Sequence, residues 1–248
     1  MAGPYCHACG QHESAAHPAT IGHLFHELTH ELLHVDGKIW RTARSLFLHP
    51  GELTAEYWAG RRAHWIGPFR VFLIAAAALL VVPGIGPMNF QTRLERDSRG
   101  TLNVAIGAPR GRTRGATLVE GVERDAYVAR LRTAYTGVRY LAVPLFAVAT
   151  WLLYRRSQPY YAHHLVLAVH FYSVWYAVSV VTSRLPYQAG AFTGMTVSGV
   201  YLFLALRRLF GQTRLRTAPK ALVLYVVMLA LEMALAFAAG VWVARGSA

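Results

Sequence analysis

Residues 50–82, PGELTAEYWAGRRAHWIGPFRVFLIAAAALLVV, pass from a basic, aromatic, helix-forming segment into an almost unbroken apolar run. That transition predicts a chain entering a bilayer. Between Phe69 and Val82 the only charged residue is Arg70. Extending the run to residues 66–86 gives about the 20 residues that cross ~30 Å of hydrocarbon. Arg61, Arg62 and Arg70 set the side from which the helix starts, because Lys and Arg stay cytoplasmic and their long side chains snorkel to the headgroups. Trp58 and Trp65 suit the interface. The reading therefore places the N-terminus in the cytoplasm.

Working outward, the rest of the chain has the same character. It is 248 residues long, 54% hydrophobic and only 15% charged, with a mean hydropathy of +0.30. Soluble domains are richer in charge. The net charge of +13 raises nucleic acid as a partner, but the basic residues are nearly all arginines, Lys38 and Lys220 excepted, and lie in stretches between apolar runs. Topology signals and contact with anionic lipid at the cytoplasmic face explain them better than a nucleic-acid surface does.

Four further spans are expected at about 137–154, 161–183, 188–206 and 221–244, giving an all-α integral membrane protein with about five transmembrane helices. Pro144 should kink the second by removing a backbone donor. Gly190, Gly194 and Ser198 give the fourth span a small-residue face, as do Ala230, Ala234 and Ala238 in the fifth, and packing within one bundle accounts for both. Residues 87–135 read as a polar extracytoplasmic loop, within which 101–106 could pair as a strand and 118–135 turn helical. This loop is rich in arginine, against the positive-inside tendency. The basic residues after the second and fourth spans, Arg155, Arg156, Arg207, Arg208, Arg214, Arg216 and Lys220, outweigh it.

Residues 1–65 form a separate cytoplasmic segment and hold nine of the twelve histidines. Cys6-His7-Ala8-Cys9-Gly10 has the shape of a zinc knuckle, two thiolates around a tight turn, and His12 and His17 follow at a spacing zinc accepts. Two cysteines at this spacing suit a metal in a reducing compartment better than a disulfide framework. Residues 20–35 predict an amphipathic helix whose polar side carries His26-Glu27-Leu28-Thr29-His30, an H-E-x-x-H pattern. In zinc proteases such a pattern supplies two ligands and a general base. Here it continues as HELTHELLH, so the solvated face of an interfacial helix explains it more simply. Residues 39–48 and 52–59 predict two more short helices lying on the cytoplasmic leaflet.

The order of these features resembles a family of bacterial integral membrane proteins catalogued as domain of unknown function 3667. The resemblance rests on Cys6-x-x-Cys9-Gly10, Asp36-Gly37, Thr42, Leu46, Pro50-Gly51, Tyr57-Trp58-Ala59-Gly60-Arg61-Arg62, Pro68 with Arg70, and the histidine-bearing 161–171. It implies a bacterial inner-membrane location and an architecture, and no activity.

Ionisable groups at membrane depth are costly and usually functional. His170 and Glu232 are two such groups, and counting from Tyr161 and Ala221 puts them at depths about 3 Å apart. With His163 and His164 above, and with Tyr172, Ser173, Tyr176, Ser179 and Ser183 on the same span, they suggest either a structural hydrogen bond between two buried groups or a polar path on which the pair shares a proton. Haem is the weaker alternative, since the deep histidines all lie on one helix and cannot face one another. The sequence therefore favours a non-enzymatic, transport-like or proton-coupled protein. A membrane-tethered metal-binding module and a membrane-associated zinc protease using His26, Glu27 and His30 stand as alternatives.

Overall fold

The structure is a computed structural model that describes residues 37–81, 93–96, 102–105, 117–118 and 122–245. The first element is α1, Gly37–Leu48, followed by α2, Glu52–Trp58. Pro50 and Gly51 turn the chain between them, with Gly51 in the left-handed region at φ +80°. Helix α2 ends on Gly60, φ +78°, where Gly60 N–H bonds the Tyr57 carbonyl and Arg61 N–H bonds that of Glu56. This is the double closure by which a glycine satisfies the orphan carbonyls at a helix end.

Helix α3, Pro68–Val81, starts with proline at its first position, where the missing N–H is not needed. The chain then forms a three-stranded antiparallel sheet of β1, Arg93–Arg96, β2, Leu102–Ala105, and β3, Thr117–Leu118, in the order β2-β1-β3. Strand β2 falls inside the 101–106 stretch expected to pair, so the helical membrane part carries a small sheet between α3 and the next helix.

Helices α4, Val122–Arg139, and α5, Ala142–Tyr154, are separated by a turn at Tyr140 and Leu141. The turn sits where Pro144 requires it, because the proline ring has no N–H for the carbonyl four residues back, that of Tyr140. Helices α6, Tyr161–Thr182, α7, Tyr187–Phe210, and α8, Arg214–Arg245, complete the described chain.

Among the described residues four helical segments are long and apolar enough to cross a membrane: Ala129–Tyr154, Tyr161–Thr182, Gln188–Phe210 and Arg214–Val243. Among the described residues that is one fewer than the five expected. In the expected 66–86 span the described helix begins at Pro68, and its 14 described residues reach about 21 Å. Residues 82–86 lie outside the described residues.

Helix α6 is the hub. It packs against α3 and α5, and also against α7 and the α1–α2 hairpin, while α8 packs on α4, α5 and α7. Phe146 of α5 stacks on Phe171 and meets the edge of Tyr172, all of them fully buried. The Gly190/Gly194 face of α7 works within the bundle as expected. A Cβ on Gly190 would lie 2.5 Å from the Thr182 carbonyl oxygen, so glycine lets the two helices meet at their shared turn. The alanine face of α8 is different. Ala230, Ala234 and Ala238 are exposed, and the side buried against neighbours carries Tyr225, Met228, Glu232 and Ala239.

Helix α1 buries Thr42, Ser45 and Leu46 and leaves Trp40, 77% exposed, together with Phe47 and Leu48 outside, beside Arg41 and Arg44. That mixture of large apolar and cationic side chains on the outward face suits the headgroup boundary.

Candidate functional site

Two polar clusters lie inside the helical bundle. The first joins the α1–α2 hairpin to α6. Thr54 Oγ1 and His170 Nδ1 are 2.9 Å apart, and the Tyr57 ring meets the His170 ring edge-on at 5.6 Å. His170 is 1% exposed, and its Nε2 has no hydrogen-bond partner. One turn along α2, Trp58 Nε1–H donates to the His163 carbonyl at 2.9 Å while the indole stacks on the His163 ring. His164 Nε2 is 3.0 Å from the Gln158 carbonyl oxygen, and its ring stacks on Phe210.

The hairpin is closed on its other side by Tyr57, whose hydroxyl donates to the Ile66 carbonyl at 2.7 Å, and by Ile66 N–H donating to Thr42 Oγ1. Burial pushes the Tyr57 phenol up to about 12, so it acts as a donor throughout the physiological range. At the surface, Glu52 accepts from Arg208, and Glu56 accepts two hydrogen bonds from Arg61 at 2.6 and 2.7 Å. Those bonds lower the Glu56 pKa. The stabilisation they bring is therefore full above the ordinary carboxylate value and fades as pH falls through the lowered one.

Thr54→Val should remove the one hydroxyl that meets His170 while keeping the side chain's shape. The expected loss is about 1 to 3 kcal/mol, the cost of an unpaired buried ring nitrogen. Thr54→Ser should stay near the parent. Denaturant unfolding in detergent checks this, and equal stability of the two variants would show that the contact does not hold the hairpin.

The second cluster lies between α4, α6 and α8. Tyr127, Leu131 and Tyr135 of α4 run antiparallel to Val243 and Ala239 of α8, and one step further along that interface the Tyr135 hydroxyl donates to Glu232 Oε2. Arg139, one helical turn beyond Tyr135, is 5% exposed, and so is Glu232. The Arg139 guanidinium lies over the rings of Tyr176, at 4.3 Å, and Tyr135, at 5.3 Å. Arg139 Nε, Glu232 Oε1 and the Tyr172 hydroxyl are buried without hydrogen-bond partners.

These contacts correct the expected His170–Glu232 pair. His170 turns to Thr54 and Tyr57, whereas Glu232 turns to Tyr135 and acts electrostatically on Tyr172. Tyr172 is two residues from His170, about 200° around the helix, so the two groups address different faces of α6. Their depths differ as well. Helix α8 starts at Arg214, seven residues before Ala221, which puts Glu232 about 27 Å along it against about 14 Å for His170 along α6. Of the hydroxyls on the expected path, those of Tyr172 and Tyr176 are buried without hydrogen-bond partners, and Ser173, Ser179 and Ser183, like Thr182, each bond a carbonyl of their own helix.

The remaining sequence candidates, Cys6, Cys9, His12, His17, His26, Glu27 and His30, lie outside the described residues. Among the described residues no three His, Cys, Asp or Glu side chains gather in a way that could hold a metal. Sequence reasoning missed Thr54, Tyr135 and Arg139. The signal for the last two was available: a buried carboxylate needs a donor and a cation, and Tyr135 and Arg139 are four residues apart on one helical face.

The hairpin carries the likeness to known proteins. Residues 36–80 match the model of a family described as protein of unknown function, DUF3667. The DUF3667 match covers α1, α2 and nearly all of α3, so it includes Thr54, Tyr57 and Trp58, while their partners His163, His164 and His170 lie beyond it. No curated protein and no solved structure shows a significant match to this chain.

Proposed function

We propose that this multi-pass membrane protein has a transport-like, proton-coupled role in which Glu232 is the carboxyl that takes up and releases the proton. The observation that carries the reading is the hydrogen bond from Tyr135 to Glu232 beside the buried Arg139 guanidinium. A carboxylate and a guanidinium inside a membrane bundle are expensive to keep, and such groups mark ion and proton routes. Arg139 stabilises the ionised form of Glu232, and the neutral form keeps a hydroxyl partner in Tyr135. Both states are therefore supported by neighbours. In this reading the N-terminus is cytoplasmic, α1 rests on anionic lipid of the bacterial inner membrane, and protein partners are left open.

Infrared titration of the protein in nanodiscs tests the role. The carboxyl C=O band should rise and fall reversibly with pH, shift on exchange into D2O and be missing in Glu232→Gln. The other eleven of the twelve Asp and Glu side chains cancel in the wild-type minus Glu232→Gln difference, and a difference without a titrating band would overturn the assignment.

A metal function is carried by the sequence alone. Cys6 and Cys9, helped by His12 and His17, would bind zinc through thiolates. Zinc that co-purifies with the protein should be lost in the double change Cys6→Ser, Cys9→Ser. Zinc that survived that change and disappeared with His26→Ala and His30→Ala would favour the protease reading instead.

A further inference from the structure

We propose that Arg139 and the Tyr172 hydroxyl form a binding site for a small oxyanion of the carboxylate or phosphate class, filled when Glu232 is protonated. The proposal rests on the proton-coupled reading of Glu232 and names the substrate class of that same centre.

The geometry begins with how Arg139 is held. Aromatic rings take up part of a cation's charge on their π faces, but they do not replace an oxygen acceptor for its N–H donors. Arg139 has ring contacts with Tyr176 and Tyr135, and its Nε stays buried without a partner. A guanidinium has five donors in a fixed fork that matches a planar oxyanion. Tyr172 adds a further buried, unpartnered hydroxyl, and its ring meets edge-on, at 5.8 Å, the Tyr176 ring over which Arg139 lies. Glu232 completes the centre with an unpartnered Oε1.

Charge then decides the occupant. With Glu232 ionised, Arg139 already has a counter-charge and an incoming anion meets repulsion from the carboxylate. Protonation of Glu232 removes that competitor and leaves one buried positive charge whose Nε has no acceptor. One anion and one proton thus restore neutrality together. No covalent bond forms or breaks, and the proton comes from water and returns to it. The groups that act on Glu232 are Tyr135 and Arg139 of α4, with Tyr172 and Tyr176 of α6 under its influence; its further charged neighbours among the described residues are none from α5 or α7.

Depth separates the two sources of such an oxyanion. Arg139 lies about 15 Å from the Ala129 end of its span, and Glu232 about 17 Å from Val243 at the same end of α8. That is near the middle of a ~30 Å hydrocarbon layer, beyond the reach of a lipid headgroup. That depth points to a dissolved anion and away from a phospholipid headgroup.

The test uses the full chain in nanodiscs of zwitterionic lipid, with acetate and inorganic phosphate as probes and binding read by isotope exchange in acidic and mildly alkaline buffer. Wild type should bind at least one of the two probes, at least about fivefold more tightly in acid, the lower end of ordinary coupling between sites. Glu232→Gln should bind equally at both pH values, and Arg139→Gln should lose binding. Arg139→Lys, which keeps the charge without the fork, should bind more weakly than wild type and serves if the Gln variant does not fold. Adding phosphatidylglycerol to the nanodiscs should leave probe binding unchanged, and competition by that lipid would assign the site to a headgroup and overturn the dissolved-anion assignment. Binding that survives in a folded Arg139 variant, or that keeps its pH dependence in Glu232→Gln, would also overturn the proposal. Failure of the two readings is distinguishable. A missing infrared band with intact but pH-independent anion binding removes the proton role and the coupling of the anion to Glu232 while leaving an anion site, and a titrating Glu232 with no anion binding removes the anion site alone.

Discussion

Glu232→Leu is expected to destabilise the protein by about 3 to 5 kcal/mol, the usual result of leaving a buried charge without a counter-charge. The change leaves Arg139, 5% exposed, without its nearby counter-charge, and strips the Tyr135 hydroxyl of its acceptor. Ring contacts with Tyr176 and Tyr135 keep part of the guanidinium's stabilisation, but they cannot supply a negative charge. Glu232→Gln keeps an oxygen for Tyr135 and the same shape, so it should be milder. Combining Glu232→Leu with Arg139→Met should recover much of the loss, because an apolar pair has no charge to compensate. Denaturant unfolding of wild type, Glu232→Leu, Arg139→Met and the double change makes a double-mutant cycle that isolates the coupling. If Glu232→Leu proved as stable as Glu232→Gln, or the double change added its two costs without recovery, the charges would not be coupled.

The same cluster shows what a sequence can and cannot reveal. Hydropathy found the apolar runs because composition alone decides whether a stretch can sit in hydrocarbon. It placed helix starts poorly wherever basic residues open a helix. Arg214, Arg216 and Lys220 made the last span look as if it began at Ala221, yet the helix already runs from Arg214, and that seven-residue error is two turns of depth. Arg139 was hidden for a similar reason. A span drawn from residue 137 puts this arginine at its edge, whereas Ala129–Tyr154 puts it well inside. His170 and Glu232 stood out correctly as costly groups, but cost says nothing about direction. Which neighbour each one faces depends on how α6 is rotated, and that is set by packing against several helices at once. The α1–α2 hairpin was legible because its turns are written locally in Pro50-Gly51 and Gly60. Its docking on α6 and α7 required contacts across more than 100 residues, such as Thr54 with His170.

Gly51→Ala should have the largest effect of any single methyl added to the hairpin, about 2 to 5 kcal/mol. Two costs act together at this position. Its φ of +80° lies in the left-handed region, which costs a residue with a Cβ about 1 to 2 kcal/mol. The new methyl would also lie 3.0 Å from both the Cα and the carbonyl oxygen of Ala205, on a backbone inside α7 that cannot swing aside as a flexible side chain could. Forcing extra volume into such a contact costs about 1 to 3 kcal/mol. The strain falls where the hairpin meets the bundle, so relief by moving α2 outward would stretch the Thr54 contact to His170 and the Trp58 bond to the His163 carbonyl. Gly60→Ala separates the two terms. Gly60 has nearly the same φ, +78°, but a Cβ there meets nothing within 4 Å, so only the conformational cost of about 1 to 2 kcal/mol should appear. Unfolding of both variants in the same detergent gives the comparison. Equal losses at the two glycines would mean that the approach to Ala205 does not constrain the hairpin, and a larger loss at Gly51 would tie this glycine of the DUF3667-matching segment to the seating of α2 on α7.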